Sequence, residues 1–233
     1  SHLKTSEFIM FDEIHEFAKG KLATSVLKSF PLASIRIGLT ATPPSEKYSK
    51  LSLGSFLGRE IEYATAEDLI AIGYLTPPTI HMIDLPDVPD TETIGLSYQE
   101  LYDKFIVENE FRNQLIADTT EAIGKKPSKM LILTKNLRHA EILRNLIPGA
   151  YKLEGKDSLE SREETLKKFI HDSSSSVMIG TIIFQTGVDI PELTHLINAR
   201  GLKSEIATIQ ALGRTLRKHD SKKEVFIYDF IDK

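Results

Sequence analysis

The chain has 233 residues, 41% of them hydrophobic and 27% charged, which is ordinary for a soluble globular protein and enough for one large core or two modest ones. It contains no cysteine, which excludes a disulfide framework and any thiolate metal site. A net charge of −4 weighs against a general polyanion binder and leaves only local patches to decide.

In chain order, the first residues hold no signal-peptide core, because Lys4, Glu7, Asp12 and Glu13 interrupt any apolar stretch. Residues 8–11 read as a short apolar strand that ends in Asp12 and Glu13, followed by a mixed helical stretch at 18–30. Residues 35–39 form the next strand and end in Thr40-Ala41-Thr42-Pro43-Pro44, where the prolines forbid direct continuation into a helix. Helical spacing over 66–72 stops at Gly73, a natural left-handed cap, and Thr76-Pro77-Pro78 reads as a linker.

Beyond the linker, 79–85 alternates like a strand and 86–93 is a polar, proline-containing loop. A long helical pattern covers 97–123, broken once near Asn109. Strands follow at 130–133, 151–153, 177–179, 193–198 and 225–228, with helices at 137–146, 159–170 and 206–216. Strands at this spacing with helices between them specify an α/β fold, a parallel sheet covered on both faces. The longest apolar runs, near 177–179 and 181–184, are too short to cross a bilayer, so a cytoplasmic setting without a membrane partner is expected. Residues 77–233 read as a complete α/β domain. Residues 1–76 hold only two clear strands and read as the back half of another.

Two segments carry chemistry. An apolar parallel strand delivering Asp12 and Glu13 to its carboxyl end suits Mg²⁺ held by one acid and a water oriented by the other, although two exposed turn acids give the same pattern. Near the other end, Arg214 and Arg217 stand three apart on one face of the 206–216 helix pattern, and their planar, permanently charged forks suit a phosphoryl group. With Lys218, His219, Lys222 and Lys223 they make a basic patch that reads equally as a solvated helix end. No glycine-rich phosphate loop occurs. The nearest approximation, 149–157, spaces its glycines one position too far apart and puts Asp157 where a metal-binding hydroxyl is needed.

Four segments in order resemble the motifs of the superfamily 2 DExH-box helicases and translocases. Asp12-Glu13-Ile14-His15 resembles motif II, and Gly38-Leu39-Thr40-Ala41-Thr42-Pro43 resembles motif III. Gly180-Thr181 with Thr186-Gly187-Val188-Asp189-Ile190-Pro191 resembles motif V, and Gln210 to Arg217 fits the Q-x-x-G-R-x-x-R of motif VI. Leu131-Ile132-Leu133-Thr134-Lys135 is similar to motif IV, and Leu153-Glu154-Gly155 with Arg162 to the conserved segment after it; both also read as ordinary strand-to-helix turns. Within the superfamily, residues 66–75, the helix from Asn109 to Asn113 and the ending Tyr228-Asp229-Phe230-Ile231-Asp232 resemble the group of UvsW-like and XPB-type translocases.

The resemblance implies RecA-like parallel sheets with helices on both faces, one complete lobe and the C-terminal half of another. It implies ATP and Mg²⁺ as cofactors, with Asp12 and Glu13 serving metal and water and Gln210, Arg214 and Arg217 facing the γ-phosphate. Gly187 and Asp189 would lie at the nucleotide. His15, Thr40 and Thr42 would couple hydrolysis to lobe movement, and Thr134, Lys135, Gly155, Arg162, Thr181 and Thr186 would meet nucleic acid. The function implied is a fragment of an ATP-dependent DNA helicase or translocase, hydrolysing ATP at the interface of two lobes and acting on branched or duplex DNA. Without a phosphate loop the chain alone is expected to be inactive, the missing N-terminal lobe being supplied in cis or in trans. The alternatives are a split subunit that binds DNA or a partner without hydrolysis, and an RNA helicase.

Overall fold

The strand–turn–helix rhythm becomes two parallel sheets in a computed structural model that describes residues 5–18, 25, 29–62, 64–153, 157–181, 190–201, 213, 215–219 and 222–232. The chain separates into two compact units, Ser1–Thr65 and Ala66–Lys233. The division falls ahead of Thr76-Pro77-Pro78 because the preceding residues are pinned to the second unit. Leu75 bridges Arg217, and the Thr76 N–H donates to the Leu216 carbonyl at 2.7 Å.

In the first unit, β1 (Phe8–Phe11) lies parallel to β2 (Ile35–Gly38), with Phe8 opposite Ile35 and Phe11 opposite Gly38. One face of the pair packs inward through Ile9, with Ile14 buried just beyond the end of β1. Gly38 permits a close approach there: a Cβ would sit 2.7 Å from Leu57 Cδ1 and 2.9 Å from Ile14 Cγ1. Leu57 ends α1 (Lys47–Leu57), a helix that the sequence pattern did not announce. The other face presents Phe8, Met10, Ile35 and Ile37 to solvent.

The second unit opens with α2 (Ala66–Ala71), and Gly73 follows at φ 76°, the left-handed conformation that glycine adopts without strain. Its six strands are β3 (Pro78–Asp84), β4 (Lys129–Leu133), β5 (Tyr151–Leu153), β6 (Ser176–Gly180), β7 (His195–Asn198) and β8 (Val225–Ile231). All pairings are parallel, in the order β3-β8-β7-β4-β6-β5. The connection leaving β4 runs toward the β5 edge, whereas that leaving β7 runs toward the β3 edge. The winding therefore changes direction between these two neighbours.

Helices cover both faces. On one side α4 (Glu110–Gly124) and α5 (Leu137–Leu146) set Ile116, Ala117, Ala140 and Leu143 against Ile132, Ile179, Ile197 and Phe230. On the other, α6 (Leu159–His171) lays Phe169 against Leu131, Leu153, Met178 and Leu196. Ahead of α4 stand α3 (Tyr98–Tyr102) and a π-helical turn, Asp103–Val107. The break expected near Asn109 is a helix start: the Asn109 side chain accepts the Arg112 N–H at 3.0 Å. The expected helical stretches at 18–30 and 206–216 lie almost wholly outside the described residues.

Candidate functional site

Parallel pairing of β1 and β2 brings the two strand ends together. The Leu39 N–H donates to the Phe11 carbonyl at 2.8 Å and the Ile14 N–H to the Leu39 carbonyl at 2.9 Å. Between them Asp12 and Glu13 stand exposed, with Asp12 Oδ1 accepting the Glu13 N–H at 2.9 Å. Glu13 has φ 50°, a left-handed conformation that costs a non-glycine residue about 1–2 kcal/mol and is found where geometry has a purpose. His15 is buried, its Nδ1 2.8 Å from Thr40 Oγ1, 3.2 Å from Thr42 Oγ1 and 3.4 Å from Glu13 Oε2. Thr40 Oγ1 also accepts the Thr42 N–H at 3.0 Å. The three residues expected to couple hydrolysis to movement thus form one hydrogen-bonded cluster that ends on an acid.

The donor set fits Mg²⁺ brought in with a nucleotide. Two neighbouring exposed carboxylates offer hard oxygen ligands, and Mg²⁺ typically takes one or two of these and completes its shell with phosphate and water. Among the described residues no group of three or more His, Asp or Glu forms a dedicated metal cage.

In the second unit the expected residues gather at the carboxyl ends of β4 and β6. Thr134 is buried, its N–H donating to the Gly180 carbonyl at 2.9 Å and its hydroxyl to the carbonyls of Asn136 (3.3 Å) and Gly180 (3.5 Å). Lys135 is half-buried, its ammonium 4.1 Å from the Tyr102 ring centroid. Thr181 follows β6 directly and Arg162 lies in the first turn of α6, both half-buried. Arg217 is exposed and sits in the bridge to Leu75 rather than on a helical face. Lys222 departs from the expected basic patch: it is buried, its ammonium donating to the Thr215 carbonyl at 2.7 Å. Gly155, Thr186, Gly187, Asp189, Gln210 and Arg214 lie outside the described residues.

Several polar residues were given no individual role by the sequence. Arg112 is wholly buried, with Nε donating to Asp232 Oδ1 at 2.8 Å, Nη2 to Oδ2 at 3.3 Å and Nη1 to the Ala199 carbonyl at 3.0 Å. Next to it, the Asn113 amide donates to the Val107 carbonyl at 2.8 Å, which leaves its oxygen to accept His139 Nε2–H at 2.9 Å. Burial, assisted by the Arg112 charge, pulls the His139 pKa down to about 3. Tyr102 donates its hydroxyl to the Arg200 carbonyl at 2.8 Å, and burial pushes its pKa up to about 12. A basic residue two positions beyond a predicted strand, at the end where α/β sheets hold ligands, was the available signal for Arg200.

Residues 113–219 match the helicase conserved C-terminal domain. The ATP-dependent DNA helicase uvsW of Enterobacteria phage T4 is 28% identical over 231 residues, covering 96% of this chain and 45% of the relative. The DNA 3'-5' translocase XPB2 of Sulfurisphaera tokodaii is 24% identical over 265 residues, 97% of this chain and 58% of its own length. The chain thus spans about half the length of these relatives. The crystal structure of T4 UvsW superposes with a TM-score of 0.55 at 24% identity, covering 99% of this chain and 46% of that one. A fragment of a putative HsdR subunit of a type I restriction enzyme from Vibrio vulnificus does so with a TM-score of 0.74 at 20% identity, covering 96% and 43%. The architecture is that of RecA-like helicase lobes, a parallel sheet between helices. Residues 113–219 are thus similar to the helicase conserved C-terminal domain, and the relatives that match across most of this chain include a DNA helicase and a DNA translocase.

Proposed function

We propose that this chain is part of an ATP-dependent DNA helicase or translocase acting on branched or duplex DNA in a cytoplasmic setting. One observation carries the reading: Asp12 and Glu13 stand exposed beyond the carboxyl end of β1 in a parallel strand pair, and Glu13 is tied through buried His15 to Thr40 and Thr42. In this reading Asp12 holds the metal, and Glu13 orients the attacking water and takes its proton. Mg²⁺, when bound with the nucleotide, neutralises charge that develops on the phosphoryl oxygens. Gln210, Arg214 and Arg217 serve the γ-phosphate, with Arg217 as the arginine finger, and Gly187 and Asp189 serve the rest of the nucleotide. His15 transmits the state of Glu13 to the turn bearing Thr40 and Thr42. Residues 1–76 act as the C-terminal half of the first RecA-like lobe and 77–233 as the second, while Thr134, Lys135, Gly155, Arg162, Thr181 and Thr186 line the nucleic-acid path.

The 233 residues contain no glycine-rich phosphate loop, so this function needs a phosphate-binding segment in cis or in trans. The exposed apolar face of β1 and β2, bearing Phe8, Met10, Ile35 and Ile37, supports a further layer over the first unit. The test is DNA-stimulated ATP hydrolysis by the chain alone and with a RecA-like half that bears a phosphate loop. Activity only after addition supports the reading. Silence in both, with DNA still bound, favours a split subunit that binds without hydrolysis. Preference for RNA duplexes over forked DNA overturns the choice of polymer.

A further inference from the structure

Arg200 is nine-tenths buried, yet among the described residues no carboxylate pairs with it and its Nε, shielded from solvent, has no hydrogen-bond acceptor. Buried charges are ordinarily paired, because losing water disfavours the charged form. Here burial pulls the arginine's pKa below its ordinary value, with the nearby Tyr102 opposing. Arg112, also buried in this unit, is neutralised by Asp232.

Arg200 stands two residues beyond Asn198 at the end of β7, and Lys135 stands two residues beyond Leu133 at the end of β4. Since Leu133 pairs with Asn198, the two cations occupy neighbouring strand ends. This is the point where the winding changes direction, and open α/β sheets bind ligands in the crevice outside the strand ends at such a point. Tyr102 joins the pair, its hydroxyl on the Arg200 carbonyl and its ring beneath the Lys135 ammonium. Tyr98, 64% exposed, stacks on Tyr102 with centroids 6.5 Å apart and planes inclined by 29°, and the Lys135 ammonium lies 5.4 Å from its ring. A Ser97–Glu100 capping box anchors the start of α3, which carries both tyrosines.

We infer that Arg200 and Lys135 form a phosphate-binding site at this switch point, with the Tyr98 ring as the stacking face for a base of the same nucleotide. Two adjacent cations, neither paired with an acid among the described residues, select an anion. The exposed ring beside them selects one that carries a flat aromatic group, because a base stacks on such a ring whatever its identity. A free nucleotide and a single strand share this chemistry. The inference deepens the reading above by assigning it a ligand contact, and it rests on that reading.

The test titrates the 233-residue chain with a labelled single-stranded oligonucleotide and, separately, with ATP and Mg²⁺. The ligand whose affinity falls in the variants is the source. Lys135→Gln is expected to weaken it about tenfold and Tyr98→Ala about fivefold. If the ligand is the strand, Lys135→Gln also reduces the log–log salt slope by roughly 0.7. Arg200→Met is expected to weaken binding about tenfold or more while holding or raising the thermal midpoint, because it removes a buried unpaired charge. An arginine that serves only the fold would lower the midpoint and leave binding unchanged. Unaltered binding of both ligands by Lys135→Gln and Tyr98→Ala, whose side chains are not deeply buried, overturns the inference even if Arg200→Met fails to fold. A wild-type chain that binds neither ligand, or one that binds with variants that bind as tightly, overturns this inference, whereas the reading above falls on the hydrolysis test of the completed assembly.

Discussion

His15 Nδ1 lies 2.8 Å from Thr40 Oγ1 and 3.4 Å from Glu13 Oε2, so one buried ring connects the acid after β1 to the turn after β2. Replacing it by alanine leaves a cavity and strands buried hydroxyls. His15→Ala is expected to destabilise the first unit by about 1–3 kcal/mol, read as a lower urea midpoint. An unchanged midpoint would mean that the cluster is not holding the turn.

Glu13→Gln preserves shape and removes the base. In the assembly completed with a phosphate loop, hydrolysis is expected to fall to background while nucleotide remains bound, as measured by retention of radiolabelled ATP. Normal turnover by this variant would remove Glu13 from the catalytic role.

Arg217 is held through its backbone bridge to Leu75, which does not depend on its side chain. Arg217→Ala is therefore expected to fold, to keep binding DNA and to lose about 10³- to 10⁵-fold in hydrolysis rate in the completed assembly. Equal loss of binding and hydrolysis, or of neither, counts against an arginine finger.

Arg112 and Asp232 form a pair with the guanidinium wholly buried and the carboxylate only partly so. Removing the acid strands the cation, so Asp232→Ala is expected to cost about 3–5 kcal/mol by chemical denaturation. Adding Arg112→Met should recover most of that loss. Failure to recover would locate the energy in the hydrogen bond to the Ala199 carbonyl rather than in the ion pair.

His139, pulled down to about 3 by burial and then by the Arg112 charge, is neutral in the folded chain. His195 is pulled down to about 4 by burial, with His81 adding to the effect. The unfolded chain binds these protons near the ordinary histidine value of about 6.5, so below that pH the unfolded state holds more protons and stability falls as the pH drops. The second unit is expected to lose stability progressively between about pH 6.5 and 3 and to be insensitive to these groups above pH 7. His139→Gln should flatten the acid limb in urea titrations, and an unchanged limb would exclude His139 as its source.

Contiguous features were legible in the sequence. The 8–11 strand, the 137–146 helix and the 151–153 strand appear where periodicity put them, because each is a local apolar run bounded by polar or turn residues. Of the four helicase-like segments, those after β1 and β2 fall at strand ends, whereas Thr186, Gly187, Asp189, Gln210 and Arg214 lie outside the described residues. α1 was not legible: Lys47-Tyr48-Ser49-Lys50-Leu51-Ser52-Leu53-Gly54-Ser55-Phe56-Leu57 mixes serines and a glycine through its length, and only Ser49 and Leu53 are buried. Lys222 was misjudged because its burial depends on the Thr215 carbonyl, and Arg200 was missed because Tyr102 reaches it from 98 residues away.

β3 opens the six-stranded sheet, yet its pairing partner is β8, the last strand of the unit, and Pro78 meets Val225. β3 has no other neighbour in the sheet, so it cannot dock until the far end of the unit has arrived. During synthesis the backbone N–H and C=O groups of β3 would wait without a strand partner until β8 leaves the ribosome. Ring-like closure of this kind makes the unit a high-contact-order, late-completing fold, and its two ends become a single kinetic checkpoint.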